Sequence, residues 1–331
     1  MAFNLRNRSI LRELDFTPAD WHFLLDLAAE LKRAKYSGRE TPRLSGKNLV
    51  LALGEGTGSG RHPMEVAVHD QGAHLAVIPL VDVTVGQARK DQARMLGRLF
   101  DGIVCCGMDH EDVEVFGLHS GVPVWNLSSS AWRPTQALSD VFTMREHCAK
   151  SDGEIAFAFY GDARSGLANS LLVTGAMIGM DVRIIGPSVR WNSHDVIKEG
   201  RWIADRTGAR ITHSEDIVEG AHGVDYVYTD SWFSPGEPRA VWNERVALLR
   251  RYQITMDVLR ATGNARVKFM HSLPAFHTRR TDLGNKVFER TGMDSLEVTD
   301  EVFESSHSIV FDQVENVVHM AKAVLLATLG S

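Results

Sequence analysis

The sequence is poor in cysteine and has no long apolar run. Its three cysteines, Cys105, Cys106 and Cys148, are odd in number, and their spacing fits neither a disulfide framework nor a zinc site. No apolar stretch approaches the roughly 20 residues that a membrane span needs. The N-terminal segment carries charges throughout and lacks the apolar core of a signal peptide. We therefore expect a protein of a reduced, cytoplasmic compartment.

The chain also lacks an excess of positive charge. Its net charge of -6 argues against a general nucleic-acid-binding surface. What it does have is the composition of a globular protein, with 331 residues of which 44% are hydrophobic and 24% charged. This length is sufficient for two domains with substantial cores. We expect small-molecule substrates, with no nucleic-acid or membrane partner.

Short apolar runs alternate with helical stretches in two series along the chain. The first series predicts strands at 48–53, 73–78, 102–106 and 123–126, and the second at 154–160, 181–185, 210–212, 226–229 and 268–271. Helices are expected at 17–36, 64–71, 87–100, 135–148, 166–178, 193–207, 217–221, 241–252 and 315–329. This alternation predicts an α/β fold with two parallel-sheet domains.

The expected domain boundary lies in the helix that joins the two series. The first domain would span residues 1–140 and the second residues 141–314. The final apolar helix, within 315–331, would return to the first domain as a packing element. Ligands of open α/β sheets bind at the carboxyl ends of the strands, so the loops there are the candidate site.

The first of these loops is rich in glycine. It reads "LVLALGEGTGSGRHPM" from Leu49, with four glycines between an apolar run and a helix. Such a turn at a helix N-terminus often holds phosphate. However, this one has no lysine, only Arg61 at its far edge, and it carries the carboxylate of Glu55. The residues alone leave open whether it binds phosphate.

Three other strand-end loops carry residues suited to chemistry. His271, in "HSLPAFH", is either a general acid or base or a histidine that holds the loop by hydrogen bonds. Asp230 and Ser234, in "TDSWFSPGEP", either hold an amino group or form a turn. Cys106, in "DGIVCCG", is either a buried small residue or a nucleophile. "GDARSGLANS" lacks a complete nucleotide-binding motif.

Together these loops resemble those of the aspartate and ornithine carbamoyltransferases, and the ornithine branch most closely. The motifs occur in family order along nearly the whole chain. They are "DQGA", "ARMLGRLFDGI", "GVPVWN", "RPTQALSD", "GDAR", "YTD", "ERVALLRRYQI", "HSLPAFH", "EVTDEVFES" and "SIVFDQVEN". The resemblance implies two α/β domains with a cleft between them, and a homotrimer.

The resemblance also indicates that the family's carbamoyl-phosphate site is largely replaced. Where the family has Ser-Thr-Arg-Thr-Arg, this chain has Thr57, Gly58, Ser59, Gly60 and Arg61, so the first arginine is Ser59. Cys106 and Val317 each replace an arginine of the family, the latter in the last helix. In the family's His-Pro-Thr-Gln motif, Arg133 replaces the histidine and Gln136 is retained. In its His-Cys-Leu-Pro motif, Ser272 replaces the cysteine and is followed by Leu273. Each arginine–phosphate bond contributes roughly 1.5–3 kcal/mol. Three losses would weaken a phosphate ligand by orders of magnitude.

The amino-acid side of the family's site is better preserved. Asp230, Ser234 and His271 all match the positions that the resemblance assigns to ornithine binding and chemistry. A family asparagine is Gly166 here, and the methionine after the serine is Pro235. The substrate-binding set that follows is Asp230, Ser234, Gln136, Arg133, Glu55, Thr57, Ser59, Arg61, Ser272 and Leu273.

The chain keeps the family's amino-acid-binding residues but has lost most of its phosphate-binding residues. Our main hypothesis is therefore an amidinotransferase that moves the amidino group of arginine to an amine or polyamine. Cys106 would attack the guanidinium carbon as a thiolate. His271 would protonate the leaving amine and then deprotonate the acceptor. Arg61 or Arg133 would lower the pKa of the thiol, and Glu55 would suit a cationic acceptor.

Two alternatives remain open from the sequence. One is an ornithine carbamoyltransferase with an altered donor site, which makes citrulline from ornithine and carbamoyl phosphate. The other is a non-catalytic paralogue that binds an amine. None of the three hypotheses requires a cofactor, and we expect no metal site.

Overall fold

The chain forms two compact units, each built on a parallel sheet. The structure is a computed structural model and describes residues 4–54, 60–80, 88–233 and 240–330. The first unit consists of Met1–Thr143 with Glu315–Ser331, and the second of Met144–Val314. The division at residue 143 and the expected boundary at residue 140 fall within the same helix, Pro134–His147.

The first unit contains a four-stranded sheet within the described ranges. Its strands are β1 (Asn48–Leu53), β2 (His74–Pro79), β3 (Gly102–Met108) and β4 (Val124–Ser129), and its helices are α1 (Pro18–Tyr36), α2 (Arg61–Asp70), α3 (Arg89–Leu99), α4 (His110–His119) and α5 (Pro134–His147), the last crossing into the second unit. The strand order is β2-β1-β3-β4 and every pairing is parallel.

The first long helix begins where the sequence predicts. The side chain of Thr17 accepts a hydrogen bond from the Asp20 N–H, and the Asp20 carboxylate accepts one from the Thr17 N–H. This capping box, with Pro18 at the first helical position, satisfies donors that would otherwise be unpaired. The helix then buries an apolar face that includes Trp21 and Leu24.

The second unit contains a five-stranded sheet within the described ranges. Its strands are β5 (Ala156–Tyr160), β6 (Asp181–Ile185), β7 (Arg210–Ser214), β8 (Tyr226–Thr229) and β9 (Lys268–His271), and its helices are α6 (Gly166–Ile178), α7 (His194–Thr207), α8 (Ile217–Ala221), α9 (Ala240–Leu249), α10 (Met256–Ala261), α11 (Asp282–Thr291) and α12 (Asp300–Phe303). The strand order is β7-β6-β5-β8-β9, again with parallel pairings. The final helix, α13 (Val310–Leu329), begins in the second unit and ends in the first.

These elements confirm the predicted α/β fold with two parallel sheets. Strands β1, β6, β8 and β9 and helices α6 and α8 have the expected bounds. The sequence prediction missed α4, α10, α11 and α12, which are short or carry a mixed pattern of polar residues. Within the described residues, no helix combines the length and apolar character needed to cross a membrane.

The strand order identifies the loops where a ligand is expected in each unit. In the first sheet, β1 lies between β2 and β3, so the direction of winding reverses there. In the second sheet, the reversal occurs at β5, between β6 and β8. Ligands of open α/β sheets bind beside such a reversal, at the carboxyl ends of the strands. The loops after β1, β3, β5 and β8 hold these positions.

A buried cluster of charges lies beneath the last helix of the first unit. The Nζ of Lys322, on α13, is 2.8 Å from an oxygen of Glu40 and 2.6 Å from one of Asp70, and its side chain is fully buried. His319, one helical turn earlier, is 2% exposed. Its burial, together with the charges of Lys322 and two other lysines, lowers its pKa to about 3.

Candidate functional site

The site residues predicted from the sequence fall into both units, and several of them lie outside the described residues. Glu55, Thr57 and Ser59 of the glycine-rich loop are outside, as are Ser234 and Pro235. The loop can be followed to Gly54, at the end of β1, and resumes at Gly60.

Both described ends of the glycine-rich loop are defined by close packing. The Gly54 N–H donates to the Cys106 carbonyl over 2.8 Å, and a Cβ at Gly54 would lie 2.1 Å from the Gly107 carbonyl oxygen. Only glycine fits there. At the other end, Arg61 opens α2, and its Nε lies 2.8 Å from an oxygen of Glu65 one turn along. The hydrogen bond from Arg61 lowers the pKa of Glu65. Arg61 therefore already has an anionic partner.

Cys106 is a buried thiol at an irregular point of β3. The pairing of β3 with β4 shifts on both sides of Cys106, where Gly107 has a φ of 70°. The Cys106 Sγ lies 3.5 Å from Ser128 Oγ, which accepts a hydrogen bond from the Gly107 N–H. Cys105 packs among the core residues of the first unit, as the strand alternation predicts.

The surroundings of Cys106 do not favour a thiolate. Cys106 has no exposed surface, and this burial raises the pKa of its thiol. The hydrogen bond from Ser128 and the charge of Arg133 oppose that effect but do not reverse it. The expected lowering of the thiol pKa by an arginine is thus outweighed by desolvation. These properties weigh against a nucleophilic role, because the thiolate is the reactive form.

The remaining predicted residues of the first unit lie around α5 and α13. Arg133 is half-buried and immediately precedes α5. Gln136, in the first turn, donates from its amide to the Asp140 carboxylate over 2.8 Å. Val317 is buried on α13. The charge of Arg133 acts on Cys106 near the end of β3, and Arg61 lies at the start of α2.

In the second unit, strand pairing brings Asp230 close to His271. Thr229 at the end of β8 pairs with His271 at the end of β9, so Asp230 and Ser272 leave the sheet side by side. Asp230 is 9% exposed. The next residue, Ser231, donates from its hydroxyl to the Pro274 carbonyl over 3.1 Å. This bond joins the loop after β8 to the loop after β9.

His271 makes a hydrogen bond through each ring nitrogen. Its Nδ1 is 2.8 Å from the Ser272 carbonyl oxygen, and its Nε2 is 3.2 Å from Glu297 Oε1. The side chains of both His271 and Glu297 are fully buried. These two contacts fix the orientation of the His271 ring in the core of the second unit.

Further contacts fix the backbone around His271. The His271 N–H donates to the Gln313 side chain over 2.9 Å. Glu297 also accepts a hydrogen bond from the Phe276 N–H over 2.6 Å. Between them, the Leu273–Pro274 peptide is cis, and Leu273 packs against the core of this unit. The loop that carries Ser272 and Leu273 is thus anchored at several points.

An acidic residue after β5 is surrounded by arginines. The Asp162 carboxylate accepts hydrogen bonds from Arg190 Nε at 3.0 Å and from Arg245 Nη1 at 2.9 Å. Arg245 also donates to the Trp232 carbonyl over 3.0 Å. This cluster ties the loop after β5 to the loop that follows β8, two residues beyond Asp230.

Two family models together match nearly the whole chain. Residues 8–146 match the aspartate/ornithine carbamoyltransferase carbamoyl-P binding domain, and residues 153–328 match the Asp/Orn binding domain of the same family. The chain belongs to the aspartate/ornithine carbamoyltransferase family. The resemblance read from the motifs is therefore confirmed, and with it an enzyme family that transfers a one-carbon group.

Solved structures of family members resemble the chain over almost its full length. The ornithine carbamoyltransferase from Pyrococcus furiosus is 30% identical, with a TM-score of 0.89 over 99% of each chain. The enzyme from Gloeobacter violaceus is 30% identical, with a TM-score of 0.83 over 99% of this chain and 100% of that chain. The enzyme from Thermus thermophilus is also 30% identical, with a TM-score of 0.78 over 96% of this chain and 97% of that chain. All three are named as ornithine carbamoyltransferases.

The family motifs contained two site residues to which sequence reasoning assigned no role. Glu297 opens "EVTDEVFES" and Gln313 lies within "SIVFDQVEN", and both contact His271. Their presence in motifs that align with the family was the available signal. Their contacts with His271 join residues far apart in the chain, which a single sequence does not reveal.

Proposed function

We propose that this chain transfers the carbamoyl group of carbamoyl phosphate to the side-chain amine of ornithine or a close analogue. The observation that carries the proposal is the pairing of β8 with β9, which sets the buried Asp230 beside the anchored His271–Pro274 loop. A buried carboxylate suits the cationic amine of such an amino acid. Similarity to ornithine carbamoyltransferases supports the same substrate class.

The reaction forms one bond and breaks one. The bound ammonium first releases one proton to solvent. The neutral nitrogen then attacks the carbonyl carbon of carbamoyl phosphate, the carbon–oxygen bond to phosphate breaks, and the further proton that the nitrogen loses passes to the departing phosphate. The products are citrulline, or its analogue, and inorganic phosphate. No oxidant, reductant or covalent enzyme intermediate is needed.

We assign His271 a positioning role in this reaction. Because both of its nitrogens have buried partners, the ring is held in place rather than poised to exchange a proton with a substrate. Its Nδ1 fixes the Ser272 carbonyl, and thereby the peptide that leads to Leu273. Orienting a loop in this way lowers the entropic cost of placing a substrate.

The donor side departs from the family pattern, and we expect weak donor binding as a result. Cys106, Arg133 and Val317 stand where the resemblance places arginine, histidine and arginine, and Ser59 replaces a further arginine outside the described residues. Each lost charge-assisted bond costs roughly 1.5–3 kcal/mol. We therefore expect a KM for carbamoyl phosphate far above that of relatives that keep these arginines.

Amidino transfer from arginine to an amine is the second candidate. The same replacements favour it, since they remove cations that a phosphate requires. The buried Cys106 with its raised pKa weighs against the covalent form of that reaction. Direct attack of the acceptor amine on arginine would not need the thiol.

A paired-donor assay with mass-spectrometric detection separates these functions. The purified protein is given carbamoyl phosphate with ornithine, and in parallel arginine with putrescine or spermidine. Citrulline from the first mixture supports the proposal. Transfer of an amidino group in the second overturns it, and no product in either mixture overturns it in favour of an amine-binding paralogue.

An Asp230→Asn variant tests the acceptor assignment. Loss of the charge should lower kcat/KM for ornithine roughly 10- to 150-fold, as expected for a hydrogen bond to a charged group. Asp257→Asn is a matched control, because Asp257 is an exposed acid of the same unit.

We also propose that the enzyme works as a homotrimer in the cytoplasm. Sedimentation tests the homotrimer, and cell fractionation tests the location.

A further inference from the structure

Among the described residues, three side chains outside the site just discussed are arranged like metal ligands. His277, Asp300 and Glu304 each present one donor atom, and these atoms all lie within 4.8 Å of one another. The closest contact is between His277 Nδ1 and Asp300 Oδ1, at 2.7 Å. Cysteine spacing, from which no zinc site is expected, gives no signal for this group.

The local fold holds this cluster from two sides. Asp300 opens α12 and Glu304 follows its last residue, so the two acids are four positions apart and project from the same helical face. The His277 ring stacks on Phe303, with centroids 3.7 Å apart and an angle of 7° between planes. Phe303 itself is 6% exposed. The imidazole is therefore oriented by a buried aromatic ring.

We propose that His277, Asp300 and Glu304 bind a zinc-class divalent cation. One imidazole nitrogen and two carboxylate oxygens suit Zn²⁺ and its neighbours in the first transition row, whereas Mg²⁺ prefers an all-oxygen shell. With bonds of about 2.0–2.2 Å, tetrahedral ligands lie about 3.3 Å apart. The exposed carboxylates can reach this spacing by small rotations of their side chains. Water completes the coordination.

Entry of the cation replaces a proton. The hydrogen bond between His277 and Asp300 contains one proton, and the metal takes its place between nitrogen and oxygen. In a neutral ring this proton moves to Nε2, which leaves Nδ1 available to bind the cation. No change of oxidation state is involved.

The site would link the two segments that hold the His271–Glu297 pair. His277 ends the loop that begins at His271, and Asp300 follows Glu297 by three residues. A cation bridging His277 to α12 would fasten these segments to each other. Because it binds the folded state, it would also raise the thermal midpoint of the protein as its concentration increases.

Isothermal titration of the tag-free, metal-stripped protein with ZnCl₂ tests the proposal. Wild-type protein should bind one Zn²⁺ with a matching rise in thermal midpoint. Glu304→Gln should weaken binding at least tenfold, and His277→Gln should remove it. Glu301→Gln is the matched control, since Glu301 is an exposed acid on α12 that is not part of the cluster. It should bind as the wild type does.

Three results would overturn the proposal. The first is no binding by the wild type, and the second is equal binding by His277→Gln, which would indicate an adventitious ion on other histidines. The third is equal affinity for MgCl₂, which would contradict the mixed nitrogen and oxygen ligands. Circular dichroism without metal confirms that each variant is folded. Co²⁺ provides a second readout, because its visible absorption should appear in the wild type and Glu301→Gln but not in His277→Gln.

Discussion

His271 Nε2 lies 3.2 Å from Glu297 Oε1, and neither side chain is exposed to solvent. Burying two ionisable side chains is costly, and further hydrogen bonds offset part of that cost. Here the second ring nitrogen bonds to the Ser272 carbonyl, and Glu297 Oε1 also accepts the Phe276 N–H. Among the described residues, Glu297 Oε2 is buried without a hydrogen-bond partner. The pair therefore connects the end of β9 to the segment before α12 and sets the path of the loop between them.

Glu297→Gln should reduce turnover without abolishing folding. The amide keeps the shape and can still accept the Phe276 N–H, but it changes the contact that orients the His271 ring. We expect kcat to fall by up to about 100-fold, because a misplacement of about 1 Å in a positioning element can cost that much. Steady-state kinetics in ornithine measure the change.

Whether kcat or KM changes distinguishes a positioning role of Glu297 from a loss of protein stability. Glu297→Gln should lower kcat more than it raises KM. Glu301→Gln, an exposed acid in the same segment, should leave both unchanged. An unchanged kcat in Glu297→Gln would show that the buried pair serves folding alone.

Cys106 should react slowly with alkylating agents and be dispensable for turnover. Its burial raises the pKa of the thiol, whereas Cys148 is only half-buried. Peptide mapping after iodoacetamide at neutral pH should find Cys148 modified before Cys106. Cys106→Ala should keep carbamoyl transfer within a few-fold of wild type. Rapid modification of Cys106, or an inactive Cys106→Ala that still folds, would support a thiolate mechanism.

His319 should make the protein less stable as the pH falls below neutrality. Its pKa in the folded state is about 3, below the ordinary histidine value of about 6.5, so the unfolded chain binds an extra proton between those pH values. Its contribution is complete above pH 6.5 and declines as the pH falls through this window. The decline amounts to at most ~2 kcal/mol between pH 6.5 and 5.

Urea unfolding of wild type and His319→Gln over this pH range isolates the effect. The variant should lose less stability than the wild type on acidification. His213, whose burial lowers its pKa to about 4, is present in both and cancels in the comparison. Parallel pH curves would contradict the assignment.

Lys322→Met should destabilise the first unit far more than Lys35→Met. Lys322 is fully buried beside Glu40 and Asp70, and its loss leaves their charges poorly compensated. Breaking such a buried pair costs about 3–5 kcal/mol. Lys35 also pairs with Asp70 but is 37% exposed, so its removal should cost less than about 1 kcal/mol. Urea unfolding at neutral pH measures both, and similar losses would argue against the burial of Lys322.

The fold could be predicted from the sequence more fully than the site. Apolar runs such as those of β6, β8 and β9 end sharply, so strand bounds follow from local patterns. By contrast, α12 has only four residues and gives no clear periodicity. The two-domain arrangement followed from the two series of alternating strands and helices, and the family followed from the motifs.

Long-range contacts and burial account for what the sequence did not reveal. The pairing of His271 with Glu297 depends on how the chain returns to β9, which no local pattern encodes. Cys106 was correctly placed on the opposite face from Cys105, but its full burial depends on Ser128 and on packing against the start of α2. Asp230 was proposed as an acceptor-binding residue from its type and loop position, whereas the hydrogen bond from the next residue, Ser231, to Pro274 is visible only in the structure.

The most direct test of the proposed reaction follows the transferred carbon by NMR. The protein is mixed with ¹³C-labelled carbamoyl phosphate and ornithine carrying ¹⁵N in its side-chain amine. Our account predicts citrulline with a one-bond coupling between the ¹³C and the ¹⁵N, formed faster by wild type than by Asp230→Asn. A parallel sample contains the same ornithine and arginine labelled with ¹³C in its guanidino group. Our account is contradicted if the first sample shows no such coupling and the second yields ¹⁵N-labelled product whose new carbon is the ¹³C of arginine.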